Sequence, residues 1–261
     1  MPLPQQTVDY KSLKDRVVIV TGSGQGIGVA YVQYLAAQGA IPIVAEINAE
    51  KGAAVAKELE ANGAKTLFVQ TDVGDYASVQ AMADAVLKKF GRIDGLVNNA
   101  AMFRNLSHKP FWELDIDEWQ RTLQVNVTGA FFCARAVAPA MKERRWGRIV
   151  NISSGVQSIG YPNFLHYVTS KSAVVGMTRS LARELGPWNI TVNTFWPART
   201  RTEINNADLS PERFKAQIDL QCLKRETTPD DHARVILFLM SDQSEWVNGH
   251  NIAADGGYKF L

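Results

Sequence analysis

Cysteine is scarce in this 261-residue chain: Cys133 and Cys222 stand alone and far apart. Two isolated thiols exclude a disulfide framework and a thiolate metal site. Histidine is nearly as sparse, at positions 108, 166, 232 and 250, and this scatter gives no reason to expect a bound metal. Neither charge sign dominates, with 28 basic against 26 acidic residues. The densest basic run, Lys142-Glu-Arg-Arg145, ends a predicted helix, where cations favour the dipole, so a nucleic-acid footprint is not supported. No stretch reaches membrane-spanning length, and residues 1–13 lack the basic start and apolar core of a signal peptide. A cytoplasmic location is the resulting expectation. Internal repeats and low-complexity segments are also missing.

What is present is apolar residues, 46% of the chain, enough for a large single core. Their pattern alternates strand and helix. Strands are predicted at 16–21, 41–46, 66–70, 94–98, 147–153, 190–196 and 250–254. Helices are predicted at 26–38, 48–62, 75–90, 115–143, 167–186 and 229–241. Such alternation implies an α/β fold, a doubly wound parallel sheet whose ligands lie beyond the carboxyl ends of the strands. Pro42 cannot donate to a sheet ladder, so it is expected at the first residue of its strand.

Two clusters carry chemistry. The apolar run Val17-Val-Ile-Val20 leads into Thr21-Gly-Ser-Gly-Gln-Gly-Ile-Gly28 and then into a helix. Glycines at 22, 26 and 28 allow a tight turn, close approach of a pyrophosphate and helix packing, while the helix N-terminus favours an anion. Far downstream, Tyr167 and Lys171 are four residues apart and share one helix face, and Ser154 lies thirteen residues before the tyrosine. A nearby ammonium biases a phenol toward phenolate, and a neighbouring hydroxyl can hold an oxygen that gains charge.

These clusters stand in an ordered set with Asp72-Val73, Asn98-Asn-Ala-Ala101, Asn126, Pro197, Thr202 and Asp255-Gly-Gly257. The set resembles that of the short-chain dehydrogenase/reductase family, over roughly residues 14–257. The resemblance implies a single-domain Rossmann fold at 14–261 with a seven-stranded sheet and helices on both faces. An N-terminal tail (1–13) would precede it, and a variable substrate segment would cover about 199–225. It also implies hydride transfer between a secondary alcohol and a nicotinamide cofactor. Tyr167 would act as the acid/base, Ser154 would hold the substrate oxygen, and Lys171 would hold the nicotinamide ribose and lower the tyrosine pKa. Asn126 would anchor a water connecting Lys171 to solvent. Ser153 rivals Ser154, but the thirteen-residue spacing favours the latter.

By the same resemblance the cofactor would meet Gly22, Gln25, Gly26, Ile27, Gly28, Asp72, Val73, Asn98, Ala100, Tyr167, Lys171, Pro197, Thr200 and Thr202. Glu46, at the end of the second strand, can accept hydrogen bonds from both adenosine ribose hydroxyls and would repel a 2′-phosphate. NAD is therefore the expected cofactor; the competing role for Glu46 is to cap the next helix. Ala101 and Ala198 replace family glycines and add a methyl each near the nicotinamide.

The substrate pocket is expected to draw on Phe103, Val156, Gln157, Tyr161, Phe164, Trp196 and Arg199. Its aromatics suggest a cyclic, aromatic or sugar-like alcohol, while Arg104, Arg199 and Arg201 suggest an anionic group instead. Two other functions stay open, a ketoreductase of the 3-oxoacyl type and a non-catalytic NAD-binding regulator. The resemblance further implies that helices 115–143 and 167–186 pair across a dimer and build a homotetramer, although at least half of their apolar residues would serve to cover the sheet.

Overall fold

The computed structural model describes residues 3–5, 8–204 and 210–260; residues 205–209 of the expected variable segment and parts of the expected tail lie outside these. Seven strands run parallel in the order β3-β2-β1-β4-β5-β6-β7. They are β1 (Val17–Thr21), β2 (Ile41–Glu46), β3 (Leu67–Gln70), β4 (Gly95–Asn98), β5 (Gly147–Ile152), β6 (Ile190–Pro197) and β7 (Asn251–Ala254). The helices are α1 (Ile27–Ala37), α2 (Ala49–Ala61), α3 (Tyr76–Phe90), α4 (Ile116–Leu123), α5 (Gly129–Arg144), α6 (Val156–Ile159), α7 (Leu165–Leu185), α8 (Pro211–Leu220) and α9 (Pro229–Met240).

Alternating side chains of one strand feed two cores. Val18 and Val20 join α1, α2 and α9 on one face, while Val17 and Ile19 join α3, α5 and the end of α7 on the other. Covering both faces is what makes these strands read as continuous apolar runs. The chain before Lys14 also packs on the body: Leu13 is fully buried, and Gln38 bonds the backbone of Tyr10 and Val8.

Strand predictions agree with the structure to within one residue. Pro42 is the second residue of β2, not the first. Ile41 donates its N–H to Arg16 of the β1 side, so the imide nitrogen of Pro42 faces β3, whose pairing begins only at Ile43. Nothing there needs a donor, and the Pro42 carbonyl accepts from Thr66 Oγ1 at 2.6 Å.

The predicted helix 115–143 is two helices joined by a π turn at Gln124–Thr128, in which Gly129 N–H reaches back to Gln124 O. A π insertion leaves no mark on hydrophobic periodicity, and such insertions favour functional regions. Short α6 and the helix α8 inside the variable segment also escaped prediction.

Candidate functional site

The carboxyl ends of β1, β4, β5 and β6 converge on one edge. At β1 the chain turns through Gly22 and Gly26, and the latter has φ 63° and ψ −147° at the head of α1, a conformation open essentially to glycine alone. A Cβ on Gly28 would lie 2.5 Å from Gly22 O and 2.7 Å from Asn99 Nδ2, so the helix start meets the loop with no space for a side chain. Asn99, the second residue of the Asn98-Asn-Ala-Ala101 run, holds this turn. Its Nδ2 donates to the carbonyls of Thr21 and Gly22, both at 2.9 Å, and Thr21 Oγ1 accepts from the N–H groups of Asn99 and Ala100.

The turn takes an anion. Gly26 N–H donates to the Glu203 carboxylate at 2.6 Å, a stand-in for the oxygens of a phosphate at a helix N-terminus. These residues therefore fit a dinucleotide. Glu46, 4% exposed, accepts from Gly24 N at 3.0 Å and from Asn48 N at 3.1 Å. It does not cap α2; Asn48 does, accepting from Lys51 N. Gln25 bonds the Lys51 ammonium. Asp72 accepts from Gly74 N, and Val73 packs into the core.

Asn98 was expected at the ribose, but its side chain turns inward. It donates to Asn151 Oδ1 at 2.8 Å, and Asn151 donates to Thr178 Oγ1 at 2.8 Å. This buried amide chain ties β4 and β5 to α7, the helix that carries Tyr167 and Lys171. Ala101 and Ala198 adopt no positive φ, which is why alanine serves in place of glycine at both.

Ser154 follows β5; its hydroxyl accepts from Val156 N at 3.5 Å and lies close enough to the Tyr167 phenol to lower its pKa. The rival, Ser153, is buried with its hydroxyl donated to Lys171 O at 2.9 Å, a structural bond. Lys171 Nζ donates to Ile152 O at 2.8 Å and stands 5.7 Å from the Tyr167 ring centroid. Burial pushes the Lys171 ammonium down to about 8. Burial pushes the Tyr167 phenol upward, and the neighbouring Ser154 hydroxyl opposes this only in part. The expected lowering of Tyr167 by Lys171 is not what the protein groups alone produce, because both side chains are withdrawn from water and the ammonium is directed at a carbonyl.

This arrangement has a measurable consequence. Below pH about 8 the folded protein carries the full cost of desolvating Lys171. Between about 8 and 10.5 the folded lysine releases its proton while the unfolded one retains it. Unfolding free energy should therefore rise with pH across that window, by up to about 3 kcal/mol. In calorimetry without nucleotide, Tm of the wild type minus that of Lys171→Met should climb between pH 8 and 9.5; a constant difference contradicts this account.

Asn126 was expected to hold a water. Its side chain bonds protein groups: Oδ1 accepts from Met102 N at 2.7 Å, and Nδ2 donates to Met102 O and Ser170 Oγ at 3.1 and 3.0 Å. A small cavity nevertheless borders Asn126, Lys171, Thr21, Asn98 and Ile152.

Around Tyr167 the walls are aromatic. Phe103 lies 5.4 Å and Phe164 4.9 Å from its ring, centroid to centroid, with Leu106, Met102 and Val156 alongside. Gln157 is half-buried and Tyr161 exposed. Trp196, expected in the pocket wall, is 1% exposed and lies beneath Gly155, because both faces of β6 are covered. Arg199 and Arg104 are exposed, whereas Arg201 pairs with Glu226 and stacks on Phe214. Pro197 ends β6. Thr200 is buried against His232, a residue that sequence reasoning missed, at 2.6 Å, and Thr202 is half-buried.

Among the described residues no group of three His, Cys, Asp or Glu could hold a metal, and no helix is long and apolar enough to cross a membrane.

Residues 22–259 match a family model described as enoyl-(acyl carrier protein) reductase. The chain is 37% identical over 249 residues to trans-4-hydroxycyclohexanecarboxylate dehydrogenase of Sinomonas cyclohexanicum, covering 93% of this chain and 92% of the relative. Among solved structures it resembles a 7α-hydroxysteroid dehydrogenase complexed with NADH and 7-oxo glycochenodeoxycholic acid, with TM-score 0.89 and 30% identity over 96% of this chain and 98% of the other. A gluconate 5-dehydrogenase from Burkholderia cenocepacia, in complex with NADP and tartrate, matches with TM-score 0.89 and 31% identity, over 97% of this chain and 98% of the other.

Proposed function

The chain belongs to the short-chain dehydrogenase/reductase family, and on that premise we propose that it is an NAD-dependent dehydrogenase oxidising a ring-containing secondary alcohol to its ketone. The carrying observation is that Ser154, Tyr167 and buried Lys171 come together on the sheet edge where Gly26 N–H donates to a carboxylate.

Tyr167 takes the hydroxyl proton as the carbinol carbon gives up hydride, and Ser154 donates to the same oxygen. NAD, when bound, would supply the hydride acceptor and a positive charge. Lys171 would hold the nicotinamide ribose and favour the tyrosinate. The cavity shared by Lys171 and Asn126 supports a water-borne exit for the proton. Phe103 and Phe164 present apolar faces to a ring, and the relatives that act on a hydroxycyclohexane carboxylate and on a steroid support that substrate class. Association as a homotetramer and a cytoplasmic location belong to the same reading. Absorbance at 340 nm with NAD or NADP and a panel of cyclic, aryl, polyol and anionic alcohols tests it; silence across the panel despite NAD binding would favour the non-catalytic alternative.

Buried Glu46 supports NAD over NADP, since a carboxylate about 4 Å from a phosphate is opposed by roughly 4 kcal/mol per unit charge at an effective dielectric constant near 20. Glu46→Gln removes the charge and keeps an acceptor for Gly24 N–H. KM for NADP is expected to fall about tenfold or more, with KM for NAD rising only about threefold. An NADP KM that does not move would remove Glu46 from cofactor selection.

A further inference from the structure

The loop after β4 is held at two points by side chains of α4 and of the π turn that follows it. At its near foot, Asn126 on the π turn bonds both the N–H and the C=O of Met102. At its far foot, Glu118 on α4 bonds both the N–H and the hydroxyl of Ser107, at 2.6 and 2.7 Å. Between them residues 102–107 form a short arch that turns through Asn105 in the left-handed region, φ 62°. The arch delivers Leu106, 7% exposed, into the cluster with Phe164 and Tyr167. It also sets Phe103 beside the Tyr167 ring.

Glu118 also approaches the catalytic helix. His166 Nε2 lies 3.3 Å from Glu118 Oε1, and the imidazole is fully buried next to Tyr167 in sequence. Just past the far foot, His108 stacks on Phe164 at 4.3 Å and 15°. Burial works against the Glu118 carboxylate, yet the bonds from Ser107 and the nearby His166 outweigh it and hold its pKa below the ordinary value. An ionised carboxylate accepting two short bonds fixes a loop more firmly than a neutral acceptor does.

We propose that Glu118 is a positioning residue for the substrate: it fixes the arch 102–107 as a preformed pocket wall, and so sets affinity and selectivity for ring-containing substrates without taking part in proton or hydride transfer. The substrate half of this proposal rests on the function proposed above. A wall held at both ends keeps its shape before the substrate arrives, which reduces the ordering that binding would otherwise require.

The test uses the full-length protein, with Glu118→Ala and the conservative Glu118→Gln. In Glu118→Ala, hydrogen exchange at residues 102–107 should speed up, and KM for the best cyclic alcohol should rise about tenfold with kcat within about twofold. The preference for cyclic over open-chain alcohols should shrink about fivefold. NAD affinity should stay within about twofold, and Glu118→Gln, which can still bond Ser107, should recover most of the exchange protection and KM. Should Glu118→Ala fail to fold, Ser107→Ala removes one of the two bonds and should raise KM about threefold. Unchanged exchange and KM would overturn the proposal, as would a fall in kcat at constant KM, which would put Glu118 in the chemistry. If the wild type turns over no alcohol of the panel, the substrate half falls with the proposed function. Lost protection of the arch beside an intact Tm would still identify the strut.

Discussion

Replacing Tyr167 with phenylalanine should lower kcat for alcohol oxidation by about 10³-fold, the scale of a lost general acid/base, while Kd for NAD stays within about twofold. The two outcomes separate because the ring and the hydroxyl have different neighbours. The ring packs against Phe103 and Phe164, and phenylalanine retains those contacts. The hydroxyl neighbours Ser154, and only that group is removed. Burial pushes the phenol upward, so oxidation by the wild type should also accelerate with rising pH as the proton acceptor forms. Turnover measured at 340 nm, beside NAD binding followed by protein fluorescence, checks both. A phenylalanine variant within tenfold of wild type would end the acid/base assignment.

Asp94→Ala should destabilise the fold by about 3 kcal/mol or more, the usual penalty for breaking a buried ion pair. Asp94 precedes β4 at the edge of the sheet opposite the site, and its side chain is 1% exposed. Arg92 grips it through two bonds, both 2.7 Å. The same carboxylate accepts from Val17 N at 2.8 Å, and Arg16 stands 3.5 Å away. Alanine leaves the Val17 N–H at the start of β1 without its acceptor and the guanidinium groups crowded together. Asp94→Asn keeps an acceptor for Val17 and should lose about half as much. Denaturant midpoints compare the two, and equal losses would show that charge, not the β1 hydrogen bond, is what matters.

The order of strands and helices was legible because a sheet covered on both faces writes long apolar runs into its strands. The glycine turn was legible because few residues fit its backbone: Gly26 has its unusual dihedrals and Gly28 its crowded Cα. The thirteen-residue spacing prefers Ser154, and the Ser153 hydroxyl serves a helix carbonyl. What sequence could not show depended on direction. Asn98 and Asn126 stand at the expected edge, yet their amides bond protein atoms, and hydropathy does not record where an amide points. Trp196 was misread because an aromatic residue at a strand's end looks the same whether it lines a pocket or supports it. Glu203 and His232 sit far in sequence from the groups they touch, Gly26 and Thr200, and no local motif announces them. Whether burial or Lys171 governs the phenol was likewise invisible, since desolvation belongs to the assembled fold.

The parallel sheet places its two charged clusters on opposite edges: the Asp94 group where β1, β4 and β5 begin, and Lys171 with Ser154 and Tyr167 where the same strands end. Strands of four to six residues, at about 3.3 Å each, keep these edges more than about 10 Å apart. Changes at the two edges should therefore combine additively in free energy, so that this scaffold can be hardened at one rim while its selectivity is rewritten at the other.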